Sequence, residues 1–273
     1  MDFDLSKCIV RTAKPSDRDD LIRVSRGIWG GTDYLPLLMD RWIAEPWFLV
    51  CEYLGKVIGC LKLSLFPGKV LWFEGLRVQK RFQNLGVATL LNRQSFTLAE
   101  KLLREGTVQG FEFCTYYQNH ESLHLTKKLG FKVHTGFYVL AKRGVKATLE
   151  PELLPLQDLE PFRHYGSHIP CAWQSLHHID ESLSFLSARG KMVRTPNASY
   201  YVGGSHEHHV TLLEPPTPSM KLDFPYLQHL FGSRKSYNII LPPAFKDSLP
   251  LLHELGFRFW HGEVLLNMLV LTL

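Results

Sequence analysis

Residues 76–91 read LRVQKRFQNLGVATLL, and this stretch decides the fold. It predicts a strand that ends at Val78, a turn over residues 83–88 and a helix that begins after Gly86. The small residues Gly86 and Ala88 let the backbone approach a ligand closely. Free amides at a helix start, together with the helix dipole, favour an anion. We therefore expect a pyrophosphate site here, although neither GxxxxGK[ST] nor GxGxxG occurs.

The segments on both sides of this stretch alternate between strand and helix patterns. The order β-α-α-β-β-β-α-β-α-β predicts a mixed α/β domain with a mixed sheet. Strands are predicted over residues 8–12, 48–53, 57–65, 69–78, 111–117 and 131–140, and helices over 16–26, 37–43, 86–103 and 121–129.

An internal repeat extends the pattern to the second half of the chain. Residues 122–131 read SLHLTKKLGF and residues 248–257 read SLPLLHELGF, an offset that also aligns Gly136 with Gly262. Either any helix that ends in Leu-Gly-Phe before a strand looks like this, or the second half is a diverged copy of the first. We predict two domains, residues 1–143 and residues 144–273, of which the second lacks the pyrophosphate turn.

Composition excludes several classes of protein. The chain has 273 residues, 45% of them hydrophobic and 21% charged, with a net charge of +5, which does not fit a disordered protein or a dedicated nucleic-acid binder. The five cysteines are widely spaced and suggest neither a disulfide framework nor a zinc site. No stretch has the apolar length of a membrane span or secretory signal. We expect a cytoplasmic protein with no nucleic-acid or membrane partner and no metal.

The turn resembles the acetyl-CoA loop of the GNAT superfamily of N-acetyltransferases, which reads Gln/Arg-x-x-Gly-x-Gly/Ala. Asn119 and Leu129-Gly130-Phe131 resemble the later motif of that family. The resemblance implies a GNAT acetyltransferase fold, acetyl-CoA as co-substrate, and a diverged GNAT-like C-terminal domain without a coenzyme loop. By that resemblance the coenzyme-binding residues are Leu76, Arg77, Val78, Gln83, Asn84, Leu85, Gly86, Val87, Ala88 and Asn119.

The family chemistry is transfer of an acyl group from a thioester to an amine, which needs a base because only the free amine attacks. Glu74 resembles the glutamate that many members use as this base; the alternative is a strand residue that faces solvent or an arginine. Thr126 stands where many members have the tyrosine that protonates the leaving thiolate. Tyr116, Tyr117, Tyr138 or a water could substitute, and a coenzyme A thiolate can also leave without a protein acid. Thr126 itself is interpreted as structural. No cysteine is well placed for an acyl-enzyme, which favours direct attack in a ternary complex.

The segment GIWGGTDYLP at residues 27–36, with Arg41 and Trp42 after it, resembles the vertebrate histidine N-acetyltransferase family. The resemblance implies acetylation of the α-amine of a small free amino acid, with L-histidine as one candidate. Arg41 or Arg77 would bind its carboxylate, Asp33 or Glu74 would face its amine, and Tyr34 and Trp29 would enclose its side chain. Alternatively, Asp33 caps the next helix and Tyr34 packs a turn, and for Trp42 we favour a structural role.

Two other functions stay open from the sequence: a peptide or protein N-acetyltransferase, and a non-catalytic acyl-CoA-binding scaffold. His206 and His208 would share one face of a strand as a metal pair, but no third ligand follows at a suitable spacing, which favours a solvated hairpin.

Overall fold

The computed structural model describes residues 3–205, 207–262 and 265–273, without the side chain of Trp29. The chain divides into two compact units, Met1–Phe113 and Cys114–Leu273. The predicted domains, residues 1–143 and 144–273, stay a prediction.

The first unit is a mixed sheet with helices on both faces. Its strands are in the order β1-β2-β3-β4-β5, and every neighbouring pair is antiparallel except β4 with β5. The elements are β1 (Cys8–Thr12), α1 (Arg18–Ser25), α2 (Leu35–Ala44), β2 (Phe48–Tyr53), β3 (Lys56–Phe66), β4 (Val70–Val78), α3 (Val87–Arg104) and β5 (Gly110–Tyr116), which continues into the second unit.

Strand β2 shows why this sheet is covered on both sides. Its first four residues, FLVC, are all buried, and successive side chains of a strand point to opposite faces. Val50 packs with Leu21 of α1 and Trp42 of α2. Leu49 packs with Leu91 of α3. The continuous apolar run is therefore typical of a strand between two helical layers.

The strands of the second unit follow the order β15-β6-β13-β12-β11-β10-β7, with β14 also paired to β6 and a separate hairpin of β8 and β9. Only β12 and β13 are parallel among the described pairs of this unit. Its elements are α4 (His120–Lys128), β6 (Lys132–Lys142), β7 (Glu152–Leu154), β8 (His168–Cys171), β9 (Gln174–His177), α5 (Ser182–Arg189), β10 (Gly190–Arg194), β11 (Ser199–Gly203), β12 (His209–Leu212), α6 (Phe224–Phe231), β13 (Tyr237–Leu241), α7 (Leu249–Glu254), β14 (Phe257–Arg258) and β15 (Met268–Thr272).

The long strand β6 has different partners along its two halves. Its first half pairs with β15, the last strand of the chain. Its second half lies between β13 and β14. Asn267 lies where these pairings change: its side chain accepts a hydrogen bond from the Val139 amide at 2.7 Å and donates one to the Val139 carbonyl at 2.8 Å.

The second unit follows the same strand plan as the first. Four strands, β7, β10, β11 and β12, are antiparallel neighbours, and a helix then leads to a parallel fifth strand, β13. The repeated LGF segments follow α4 and α7, which occupy corresponding places. This plan supports the predicted GNAT-like second copy, and the predicted mixed α/β class is confirmed.

Within the described residues, no helix combines the length and the apolar character that crossing a bilayer requires. All five cysteines are free thiols, and Cys51, Cys60 and Cys171 are buried.

Candidate active site

Strand β4 separates from β5 near its middle. Val70–Trp72 pair in parallel with Gly110–Glu112, and no described pairing joins β5 to residues 73–78 of β4. A strand edge without a neighbour presents amides and carbonyls that need another partner. The second half of β4 is therefore suited to hydrogen bonding with an extended ligand.

The same half of β4 contains a bulge. Cys60 lies opposite Arg77 and Lys62 lies opposite Glu74, so three steps along β4 match two steps along β3. Gly75 follows Glu74 with a φ of 72°, which favours glycine. Bulges re-aim side chains and are common beside active sites.

Trp42 fixes the shape of the bulge from the helical side. A Cβ atom at Gly75 would lie 2.7 Å from the Trp42 ring. Trp42 is fully buried, and its ring contacts those of Tyr34 and Phe48 at centroid distances of 6.0 and 5.4 Å. This burial agrees with a structural role for Trp42.

Glu74, the predicted base, lies directly before the bulge and is partly buried. Its Oε1 accepts a hydrogen bond from the Ser64 hydroxyl at 2.7 Å. A fixed carboxylate beside the bulge can accept a proton from a bound amine. Its catalytic role stays a prediction.

Lys62 lies opposite Glu74, and the sequence alone did not predict it as a site residue. The residue is 1% exposed, and its Nζ donates to the carbonyls of Pro46 and Leu63 at 2.6 and 3.0 Å. Burial lowers its pKa, an effect that the nearby Glu45 carboxylate opposes. A lysine inside the apolar run CLKLSL was the available signal.

Asp33 and Arg77, two predicted site residues, form a buried ion pair. Arg77 donates from Nε and Nη2 to the two Asp33 oxygens, each at 3.0 Å. The Asp33 carboxylate also accepts from the Leu35 amide at 3.2 Å, which fits the alternative of a cap for α2. The Arg77 guanidinium lies 4.9 Å from the centre of the Tyr34 ring, and burial raises the pKa of that phenol.

Two predicted acceptor-binding residues remain, Arg41 and Trp29, and of these Arg41 lies near the surface. The Arg41 side chain is 43% exposed, with Nε 3.4 Å from Oε1 of Glu45. Trp29 belongs to the short helical turn Ile28–Gly31, and its side chain lies outside the described residues.

The predicted coenzyme turn has the backbone of an anion site. Asn84 and Gly86 have φ angles of 61° and 85°, and α3 begins directly after Gly86 with no side-chain cap at its first amides. The side chain of Gln83 turns back and donates to the Val78 carbonyl at 3.2 Å. The first amides of α3 lack helical acceptors and point outward.

Two motif residues of the second unit have local partners. The Asn119 side chain caps α4 by accepting from the Ser122 amide at 3.2 Å. Thr126 donates from its hydroxyl to the Ser122 carbonyl at 2.7 Å, which fits its structural interpretation. The coenzyme role predicted for Asn119 stays a prediction.

The three tyrosines considered as acids differ in their surroundings. Tyr116 is hydrogen bonded to Nδ1 of His261 at 2.5 Å, and the Tyr117 hydroxyl accepts from Gln118 at 2.7 Å. Tyr138 is buried, which raises its pKa. Of the considered metal pair, His208 is exposed and His206 lies outside the described residues.

Residues 19–131 match the model of the Acetyltransferase (GNAT) family. This span contains the bulged strand β4 and the turn before α3. The match assigns a GNAT domain to residues 19–131, which is less than half of the chain.

Among curated proteins, the chain is similar to the histidine N-acetyltransferase of Xenopus tropicalis, with 30% identity over 138 residues, or 49% of this chain and 38% of that protein. The chain thus matches well under half the length of this relative.

Solved structures extend the likeness over both halves. A Thermoplasma acidophilum protein gives a TM-score of 0.66 at 14% identity over 97% of this chain and 98% of its own. The GCN5-related N-acetyltransferase of Sphaerobacter thermophilus gives 0.61 at 12% identity over 98% and 95% of the two chains. At these identities the likeness concerns the fold alone.

Proposed function

We propose that this protein is an acetyl-CoA-dependent N-acetyltransferase that acts on the α-amine of a small free amino acid, with L-histidine as the specific candidate. One observation carries the proposal: β4 has a bulge opposite β3, with Gly75 at a positive φ and the hydrogen-bonded Glu74 carboxylate directly beside it. The similarity to a histidine N-acetyltransferase supports the choice of acceptor. A cytoplasmic location, expected from the sequence, is part of this proposal.

In this proposal the coenzyme is held chiefly by backbone groups. The uncapped amides at the start of α3, after Gly86, bind the pyrophosphate. The backbone of β4 over Leu76, Arg77 and Val78 hydrogen bonds to the extended arm that carries the thioester. The net charge of the chain contributes little to such a site, because backbone amides carry none of it.

The reaction then proceeds by direct attack. The Glu74 carboxylate takes a proton from the ammonium of the acceptor, and the free amine attacks the thioester carbonyl. A backbone amide of β4 stabilises the oxygen as it becomes negative. The carbon–sulfur bond breaks, and the thiolate leaves and takes up a proton from solvent. The new amide nitrogen loses its second proton to solvent, and Glu74 releases the proton that it took, so each turnover releases one proton overall.

Of the two arginines considered for the acceptor carboxylate, we favour Arg41. Arg77 is already neutralised by Asp33, and both side chains are buried. The contact between Arg41 and Glu45 is solvent-exposed and long, at 3.4 Å. Exposed ion pairs of this kind contribute little stability, so Arg41 can exchange Glu45 for a substrate carboxylate at low cost.

The proposal is tested by competition. The purified protein is incubated with acetyl-CoA, an equimolar mixture of the free amino acids and a set of short peptides, and the products are separated by mass spectrometry. We expect one Nα-acetyl amino acid to dominate, with acetyl-histidine first among the candidates. Acetylated peptides alone would favour the peptide N-acetyltransferase, and acetyl-CoA binding without any product would favour the scaffold.

A further inference from the structure

A buried lysine lies directly across the sheet from the proposed base. Lys62 and Glu74 are opposite residues of the antiparallel pair β3 and β4, which brings their Cβ atoms to about 5 Å. Their side chains share one face of the sheet, and Ser64, two residues further along β3, donates to Glu74 on that face. Lys62 is 1% exposed.

Burial of a lysine is costly unless the charge is paired. The Lys62 ammonium lies 3.3 Å from the Glu45 carboxylate. Glu45 also contacts Arg41, at 3.4 Å, and its side chain is 40% exposed. The charges of Arg41, Glu45, Lys62 and Glu74 therefore alternate in sign from the surface to the proposed base.

The other charged groups near Glu74 are already neutralised within the first unit. Tyr34 is close enough to interact with the Glu74 charge, but burial keeps the phenol protonated by raising its pKa. The neighbouring Arg77 is paired with Asp33. On α1, the ion-paired Asp20 holds the Val57 amide at the far end of β3, at 3.0 Å. Among the described residues of the first unit, Lys62 is a buried cation beside Glu74 whose carboxylate partner, Glu45, is 40% exposed.

We propose that Lys62 is a positioning residue for the transfer reaction, which holds Glu74 as a carboxylate and fixes its place beside the bulge. This inference rests on the proposed function for its catalytic meaning. The ammonium itself does not touch substrate; it acts through the charge and orientation of Glu74. Glu45 moderates the effect, because its negative charge partly cancels that of Lys62.

Replacement of Lys62 and replacement of Glu45 should shift the pKa of Glu74 in opposite directions. In Lys62→Met the stabilising charge is lost, and the pKa of Glu74 should rise. In Lys62→Gln, a hydrogen-bond donor stays but the charge is lost, so the same rise is expected. In Glu45→Gln the lysine charge acts unopposed, and the pKa of Glu74 should fall.

The measurement is a carboxyl ¹³C NMR titration of protein labelled at glutamate, with the Glu74 resonance identified by its absence in Glu74→Gln. Arg18→Met is the control, because it removes a cation from an exposed pair with Asp40 in the same unit. This titration needs neither coenzyme nor acceptor, so its result does not depend on whether the proposed function holds. Opposite shifts in the Lys62 and Glu45 variants support the inference.

An unchanged Glu74 titration in the Lys62→Gln and Glu45→Gln variants would overturn the inference. The coupling between the two charges is reciprocal, so Glu74→Gln should lower the pKa of Lys62, followed by ¹³C NMR of protein labelled at lysine. This measurement keeps the test decisive if the Lys62 variants do not fold. Where an acceptor is turned over, the acidic limb of kcat/KM should move in the same directions, with Lys62→Met losing more rate at pH 6 than at pH 8.5. The KM for acetyl-CoA should stay constant.

Discussion

Asp33 and Arg77 are residues whose charges neutralise each other inside the first unit. Their side chains are 2% and 8% exposed, and two parallel hydrogen bonds join them. Removal of one partner of a buried pair leaves the other charge without compensation, which is more costly than never having buried either.

We expect Asp33→Asn to lower the free energy of unfolding by about 3 kcal/mol, because Arg77 would stay buried without a counter-charge. Asp40→Asn breaks the exposed pair with Arg18 and should cost less than about 1 kcal/mol. Urea unfolding of both variants measures the difference. Equal losses would show that the burial of the Asp33 pair contributes no additional stability.

Arg41 gives a residue-scale test of acceptor binding. Arg41→Ala should raise the KM for the free amino acid about tenfold or more, the loss of one charge-assisted hydrogen bond, and leave the KM for acetyl-CoA unchanged. Arg18→Ala, which removes an equally charged exposed side chain, should change neither constant. An unchanged KM for the free amino acid in the Arg41 variant would show that another residue binds the acceptor carboxylate.

At the scale of the element, the bulge of β4 depends on one glycine and the tryptophan packed on it. Gly75→Ala should destabilise the protein by about 3 kcal/mol, from backbone strain and overlap with Trp42, and should lower turnover because Glu74 shifts.

Gly55 supplies the matched control for that variant. It has a φ of 74°, like the 72° of Gly75, but a Cβ atom there would meet nothing within 4 Å. Gly55→Ala should therefore cost only about 1 kcal/mol of strain. Thermal unfolding of both variants separates strain from overlap. Similar losses would mean that Trp42 does not support the bulge.

The elements themselves follow closely from the sequence, and their side-chain partners do not. The periodic patterns predict α3 after Gly86 and the strand that ends at Val78, because capping, turn residues and apolar alternation are local properties. The bulge at Gly75 depends on how β3 and β4 are registered, which periodicity does not specify. The pairing of Arg77 with Asp33 and the burial of Lys62 depend on residues distant in sequence.

At the scale of the whole molecule, one strand pairing of the second unit joins residues that are far apart in the sequence. Strand β15 is the last element, yet it pairs with β6 more than a hundred residues earlier; Asn267 and Val139 are 128 positions apart. The apolar pattern of residues 264–273 is typical of a strand, but periodicity does not specify the partner of a strand. Pairings at such separation form slowly, because the loop between them must close first.

Asn267→Ala tests how much the contact between Asn267 and Val139 stabilises the second unit. The variant leaves the buried amide and carbonyl of Val139 without their side-chain partners and should cost about 3 kcal/mol. Asn119→Ala, which removes an exposed helix cap, should cost about 1 kcal/mol. Chemical unfolding monitored by circular dichroism compares the two, and a smaller loss at Asn267 than at Asn119 would contradict a structural role for the junction.

The central claim is that the bulged half of β4 carries out acetyl transfer with Glu74 as the base. The most direct measurement is the pH dependence of kcat/KM for the wild-type protein and Glu74→Gln, with acetyl-CoA and free L-histidine. The wild-type rate should fall at low pH, where the carboxylate and the amine take up protons. Glu74→Gln should react about 10²- to 10⁴-fold more slowly. Its pH profile should no longer show the ionisation of the carboxylate and should keep only that of the amine. Full turnover with an unchanged profile in Glu74→Gln would contradict the claim.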